Sequence, residues 1–458
     1  MRILRNNLLE ECFNGASPAH NLIIREVTET MTESRAGGAR RRILLLLPFV
    51  PRLDSNHGGA RVIAQLVSRL SKRHCVAMVY IRAADEARAD EVLWQQCDFV
   101  EEVIRPGSAS SLHYFTCLRS IPSRIVGSPR WATHVAVPGM KSRLRALVGM
   151  WQPDIIQAEY HVMGQYFGAL ELSSVPFVLT EHEPGLEAAR DLYLSERGLA
   201  KLISYVDMLA WRCFEHSIIK NADAVVVFTE RDRQVVKHFG RKIPIVQIPF
   251  GTEIPDHPLS SVGSQPLNLV FVGNFMHPPN TDAATRLIHS IFPKVQTHFP
   301  DSILYIVGNR PTARMRGAAN SNLVVTGCVP DINPYLDRAS LVVAPLRTGG
   351  GMRVKVVDAL AAGKAVVASS RAVEGLDVMC GEHVMVAESD EQFTSAIVQL
   401  LADPKKRALL GDRARSWACA NLGWERSIAA YENLYDRLLA RQIRTGRLNT
   451  GGAAGFVS

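Results

Sequence analysis

Two successive series of short apolar runs, each separated by stretches of helical period, constrain this chain more than any other feature. In the first series, residues 43–50 are followed by residues 60–72, where Val62, Ile63, Leu66, Val67 and Leu70 share one helical face. Further strand-like runs fall at residues 76–81, 155–157, 177–180 and 224–229. The pattern then restarts, with runs at residues 267–272, 303–307, 323–326, 341–344, 365–369 and 384–386. Continuous apolar runs alternating with amphipathic helices predict βαβ units and a parallel sheet covered on both faces. Two such series predict two doubly wound domains. The seam between them is rich in Pro and Gly, from Pro249 and Gly251 through Pro255, Pro258 and Pro266, as in a linker.

With 458 residues, the chain has room for two domains and tails. The expected division is a loose tail over 1–40, a first domain over 41–255 and a second over 256–423. A helix over 424–441 then crosses back onto the first domain, and a flexible tail over 442–458 closes the chain. Apolar residues make up 47% and charged residues 21%, a globular balance that excludes a disordered chain. No run approaches the roughly 18 apolar residues of a membrane span. The first ten residues lack the apolar core of a secretory signal. The eight cysteines show no metal or redox spacing. A cytoplasmic protein is expected, at most peripheral on the inner face of the cell membrane.

The formal net charge is +8 and unevenly spread. Residues 103–153 hold no Asp or Glu but contain Arg105, Arg119, Arg124, Arg130, Lys141, Arg143 and Arg145, with Tyr114, Phe115, Trp131 and Trp151 among them. Such interleaving suits an anionic membrane surface, and equally a solvated face of a basic protein. No nucleic-acid partner is expected.

The segment richest in chemistry begins where the run 341–344 ends. Thr348 leads into Gly349, Gly350 and Gly351, then Met352, Arg353, Val354 and Lys355, at the start of a helical pattern that carries Asp358. Consecutive glycines let backbone N–H groups approach a ligand closely, and a helix N-terminus adds unpaired N–H groups and a positive dipole end. Together they make an anion site. Cations in a first helical turn oppose the dipole by roughly 0.3–1 kcal/mol each, a penalty that a bound phosphate reverses. Arg353 and Lys355 therefore read as phosphate clamps, against the alternative that both extend into solvent. Asp358 reads as an acceptor for a ribose diol, or else as a surface partner of Lys355 three residues away. A weaker glycine loop, Gly58-Gly59, follows the first strand and is also consistent with a plain strand-to-helix turn.

These residues resemble the donor domain of the family 4 retaining glycosyltransferases, which have the GT-B fold. The resemblance runs through Phe271-Val272-Gly273-Asn274, Ile306-Val307-Gly308, Val325 to Asp331, Ala344 to Val367 and Glu374-Gly375-Leu376. In the first half it rests on Gly58-Gly59, Gln157 to Tyr160 and Thr180 to Glu183. It implies two Rossmann-like domains with a cleft between them, and transfer of a sugar from a nucleotide-sugar donor to a glycan, lipid-linked or polysaccharide acceptor. It also implies that Arg353 and Lys355 hold the diphosphate, that Asp358 holds the ribose, and that Gly350 to Met352 meet the donor sugar. Gly59 would touch the phosphate from the facing domain, and Val329 falls in a strand-end segment of the motif. His182 would contact sugar or acceptor, with Glu183 as a possible helper. Gly350 stands where the family usually has a Glu, and Asp358 where it has a second. No Asp-x-Asp motif is present to chelate a metal, so no metal or cofactor is expected. The rival readings are an inverting transferase or nucleotide-sugar epimerase working through Glu181-His182-Glu183, and a degenerate protein that binds sugar nucleotide without turnover.

Overall fold

The computed structural model describes residues 40–444 apart from 56–57, 108–126, 171–174, 240–242, 250, 260–264 and 351–352. The first 39 residues, the last 14 and the middle of the basic stretch therefore lie outside the described residues.

Seven parallel strands form the first sheet. They are β1 (Arg42–Leu47), β2 (Cys75–Ala83), β3 (Phe99–Arg105), β4 (Ile155–Glu159), β5 (Phe177–Glu181), β6 (Ala224–Val227) and β7 (Ile245–Gln247), in the order β3-β2-β1-β4-β5-β6-β7. Six form the second: β8 (Asn268–Val272), β9 (Ile303–Val307), β10 (Leu323–Gly327), β11 (Leu341–Ala344), β12 (Val366–Ala368) and β13 (Met385–Val386), in the order β10-β9-β8-β11-β12-β13. This is the doubly wound α/β architecture that the alternating runs predict. The central strands are buried on both faces, so Ile43 to Leu47 are wholly inaccessible to solvent.

Differences from the sequence reading have local causes. β1 stops at Leu47 because Pro48 cannot donate to the ladder. β3 escapes a search for apolar runs because it is an edge strand in which Glu101 and Glu102 are only partly buried. β7 is a three-residue edge strand with no buried position.

Five helices matter for function: α1 (Gly58–Arg73), α2 (Gly185–Ser195), α3 (Gly198–Lys220), α4 (Val354–Ala361) and α5 (Trp424–Arg444). The last returns from the second half to the first. Trp424 Nε1 donates to Gln65 at 3.0 Å, and Arg73 and His74 meet Glu432 at 3.0 and 3.1 Å. The chain passes tightly here: a Cβ on Gly251 would lie 2.4 Å from the Trp424 ring.

Candidate active site

Each sheet reverses its winding at its centre, between β1 and β4 in the first and between β8 and β11 in the second. The crevice beyond the carboxyl ends of strands at such a reversal is where open α/β sheets bind ligands. Here the two crevices share one cleft of about 1510 Å³. The first half lines it with Gly58, Gly59, Arg61, Tyr160, Glu183 and Asp191, and the second with Gly273, Gly308, Val329, Gly349, Gly350, Arg353, Lys355 and Asp358.

The glycine loop after β11 is the electrostatic centre of the cleft. Gly349 adopts φ 103°, a conformation that a side chain would strain. Its N–H donates to Asp191 Oδ2 at 3.2 Å, and the N–H of Gly350 donates to Glu183 Oε1 at 2.5 Å. Both acceptors come from the first half of the chain, so the loop already holds acidic oxygens from across the cleft. Gly350 leaves space for this, since a Cβ there would stand 2.6 Å from Glu183 Oε1. Gly58 closes on the same region, where an added Cβ would meet the Val354 side chain at 3.3 Å.

Arg353 caps α4 and donates to the carbonyl of Gly349. Its Nε–H is buried with no partner among the described residues, and burial holds its basicity below the usual arginine range. Lys355 donates to Asn280 Oδ1, and its ammonium lies 5.2 Å from the centre of the Phe271 ring. Burial, and then the nearby Arg353, push its pKa down to about 7. Neither cation extends into solvent. Gly351 and Met352 lie outside the described residues.

Asp358 does not pair with Lys355. It accepts from Arg61 at 2.6 Å and from Thr252 Oγ1 at 3.1 Å, and its burial raises its pKa. The helix turns the two side chains to different partners, and Arg61 of α1 reaches across the cleft.

His182 follows β5, but the wall of the cleft is the ring of Tyr160. The two rings stack at 3.8 Å, only 6° from parallel, and His182 is 8% exposed behind it. Tyr160 takes φ 67°, unusual for a residue with a side chain, and is braced edge-on by Phe49 and Trp131 at 5.1 and 5.4 Å. His182 Nε2 meets Glu159 Oε2 at 2.6 Å. The sequence reading missed Tyr160, Arg61, Asp191 and Glu159 as site residues, since the contacts that place them, Tyr160 and Glu159 with His182, Arg61 with Asp358 and Asp191 with Gly349, join residues well separated in the chain.

Among the described residues, one group has metal-ligand chemistry: His161, Glu181 and Glu215, with ligand atoms within 4.8 Å of one another. It lies in the core beneath the cleft, not on its wall. Burial drives His161 down to about 4 and Glu215 up to about 8, and raises Glu181 well above its usual range. Burial thus favours the neutral form of each group, and Glu215 Oε1 accepts from the N–H groups of Gly185 and Leu186 at the start of α2.

Among the described residues, the basic stretch 103–153 does not present a single surface; Tyr114, Phe115, Arg119 and Arg124 lie outside them. Arg105 and Trp151 are buried, and Arg143 pairs with Glu101 at 2.5 Å. Its exposed basic residues in the described part are concentrated on the helix Met140–Trp151.

Comparison with known proteins decides the family. The model for glycosyltransferase family 4 matches residues 56–254, and that for glycosyl transferases group 1 matches residues 266–403. The chain is a GT-B glycosyltransferase. It is 26% identical over 245 residues to the lipopolysaccharide core biosynthesis mannosyltransferase LpcC of Rhizobium leguminosarum bv. viciae, a match that takes in 48% of this chain and 66% of that one. This glycosyltransferase thus aligns with just under two thirds of that relative. Among solved structures, sucrose-phosphate synthase of Thermosynechococcus elongatus superposes with a TM-score of 0.66 at 18% identity, covering 88% of this chain and 100% of that one. The HepE protein of Anabaena in complex with UDP-glucose gives 0.58 at 12% identity, over 88% and 99%.

Proposed function

We propose that this glycosyltransferase moves a sugar, with retention of anomeric configuration, from a nucleotide-sugar donor to a lipid-linked or polysaccharide glycan. The observation that carries the reading is the glycine loop after β11, whose N–H groups hold Asp191 and Glu183 beside Arg353 and Lys355. A loop that recruits carboxylates from a facing domain is built for anions. A donor diphosphate would displace them and meet two cations, which stabilise the charge that develops as it departs. Those cations make a metal unnecessary in this reading. Asp358 would exchange Arg61 for the ribose diol.

Mannosyltransferase relatives, one of them GDP-mannose-dependent, support GDP-mannose as the first donor to try, and the HepE complex with UDP-glucose supports UDP-glucose as the second. The acceptor class is supported by the part of the Rhizobium relative in lipopolysaccharide core synthesis. A membrane-bound acceptor also fits the surface. Leu192, Leu194, Leu199, Leu202, Tyr205 and Leu209 are all exposed on the pair α2 and α3, whose Asp191 and Leu192 reach the cleft. This apolar pair suits an interfacial contact better than the basic stretch does. No described helix is long and apolar enough to cross a membrane.

The reading is tested by incubating the chain with each donor and a lipid-linked glycan, with and without chelator. Release of nucleoside diphosphate, unchanged by chelator, and a product with the donor's anomeric configuration are expected. An inverted product would remove retention, and strict dependence on a divalent cation would remove the metal-free mechanism.

A further inference from the structure

A chain of four buried side chains runs from the returning helix to the wall of the cleft. The Tyr435 hydroxyl of α5 donates to Gln157 Oε1 at 2.6 Å. Gln157 Nε2 donates to Glu159 Oε1 at 2.5 Å. Glu159 Oε2 meets His182 Nε2 at 2.6 Å, and the His182 ring lies flat against Tyr160, which lines the cleft. Tyr435 and Gln157 are fully buried, and Glu159 is 1% exposed.

We propose that Tyr435, Gln157 and Glu159 are positioning residues, a one-way hydrogen-bond relay through which the returning helix fixes the tautomer and plane of His182 and so seats Tyr160 on the cleft wall.

The direction follows from donor and acceptor chemistry. A phenol that donates to an amide oxygen fixes which way the amide of Gln157 faces. Its NH₂ must then donate to Glu159. A carboxylate only accepts, so the remaining oxygen requires the proton of His182 on Nε2. That bond holds the ring in one plane, as an orienting carboxylate does for a histidine held by its other nitrogen. Tyr160 gains from this because its backbone conformation is one that persists only when its surroundings over-determine it. The stacked His182 and the edges of Phe49 and Trp131 supply that constraint. The relay also ties catalytic geometry to the docking of α5, an element of the second half of the chain. No group in the relay lines the phosphate loop, so its loss acts on turnover more than on donor binding.

This inference rests on the transferase reading for its effect on turnover, but its geometry is testable without any donor. In chain carrying ¹⁵N-histidine, the His182 ring is assigned by the signal lost in His182→Ala. The relay predicts a wild-type ring protonated on Nε2. In Glu159→Gln, the new amide oxygen faces Gln157 and its NH₂ faces the ring, so the proton must move to Nδ1. A merely space-filling role for Glu159 would leave the tautomer unmoved. An Nδ1–H wild-type ring, or an unchanged tautomer in Glu159→Gln, overturns the relay.

Turnover supplies the second arm, read as GDP release from GDP-mannose or UDP release from UDP-glucose with a lipid-linked glycan. Tyr435→Phe removes one oxygen and keeps the packing. It is expected to lower kcat about tenfold, with donor Kd by calorimetry within about threefold of wild type, and to have no further effect in a His182→Ala background. Equal losses in both backgrounds, or a wild-type kcat in Tyr435→Phe, overturn it. Absence of turnover in the wild-type chain with either donor would count against the transferase reading, and the tautomer measurement would still decide the relay.

Discussion

Lys355 has the most informative chemistry of any single residue in the cleft. Its amine is buried against Phe271 and beside Arg353, and its pKa is pushed down to about 7. A donor phosphate favours the ammonium form, so binding raises that pKa again. Above pH 7 the free chain therefore has to take up a proton to bind a nucleoside diphosphate. Calorimetry at pH 8 in buffers of different ionisation enthalpy should report an uptake approaching one proton, with affinity weakening as pH rises from 6 to 9. Lys355→Met should abolish the uptake. An uptake that persists in this variant would assign the proton elsewhere. Asp358 is decided by a second substitution. In Asp358→Asn, affinity for a nucleoside diphosphate should fall about tenfold or more, in line with roughly 1.5–3 kcal/mol for hydrogen bonds to a charged group. Affinity for pyrophosphate should be unchanged. Equal losses for both ligands would place Asp358 at the phosphates. The sequence made these positions legible because both lie on one helix start beside a glycine run. It did not make Arg61 or Asp191 legible, since each meets its partner only across the cleft.

At the scale of elements, strands with continuous apolar runs were readable, and edge strands were not. β3 and β7 pay for partial exposure with Glu and Gln side chains, which breaks the run that marks a strand. The start of α2 shows the same gap between pattern and contact. Glu181, His182 and Glu183 read as one acidic cluster at the cleft. Glu181 instead turns into the core toward His161, His182 stands behind Tyr160, and Glu183 alone reaches the glycine loop. Strand alternation sends neighbouring side chains to opposite faces, and β5 continues that alternation to its end. Below this turn, Glu215 accepts from two N–H groups of α2 while its pKa is pushed up to about 8. An unfolded carboxyl titrates near 4.5. Between those values the native chain holds a proton that the unfolded chain has released, so stability falls as pH rises from about 4.5 to about 8 and then levels. Glu215→Gln keeps the acceptor oxygen and removes this titration. Denaturant unfolding should show the variant gaining on wild type from pH 5 to pH 8. A constant difference across that range would mean that Glu215 is not protonated in the native chain.

Across the whole molecule, α5 and the glycine loops bind the two sheets around one cleft, and the paired series of apolar runs foretold that arrangement. The surface was less legible. Charge patterning drew attention to residues 103–153, yet folding buries Arg105 and Trp151 and pairs Arg143 with Glu101. The exposed apolar side chains gather instead on α2 and α3, where Leu199 is 72% and Leu194 is 63% exposed. Their helical spacing reads in sequence like a core-facing stripe, because periodicity marks an apolar face without saying what covers it. If that face docks on a membrane, a Leu199→Glu, Leu202→Glu double variant should lose flotation with anionic liposomes, whereas Lys141→Glu, Arg145→Glu should lose less. Flotation retained by the leucine variant would return the contact to the basic helix.

The central claim is that the loop after β11, with Arg353 and Lys355, is the phosphate seat of a nucleotide-sugar donor. The most direct test is calorimetric titration of wild type and Arg353→Ala with a panel of nucleoside diphosphates that includes GDP and UDP. The account predicts one site per chain for at least one of them. It predicts a loss of about tenfold or more in Arg353→Ala, whose thermal unfolding stays close to wild type, as expected for a charge-assisted phosphate contact. No binding by the wild-type chain, or equal affinity in the two proteins, would contradict it.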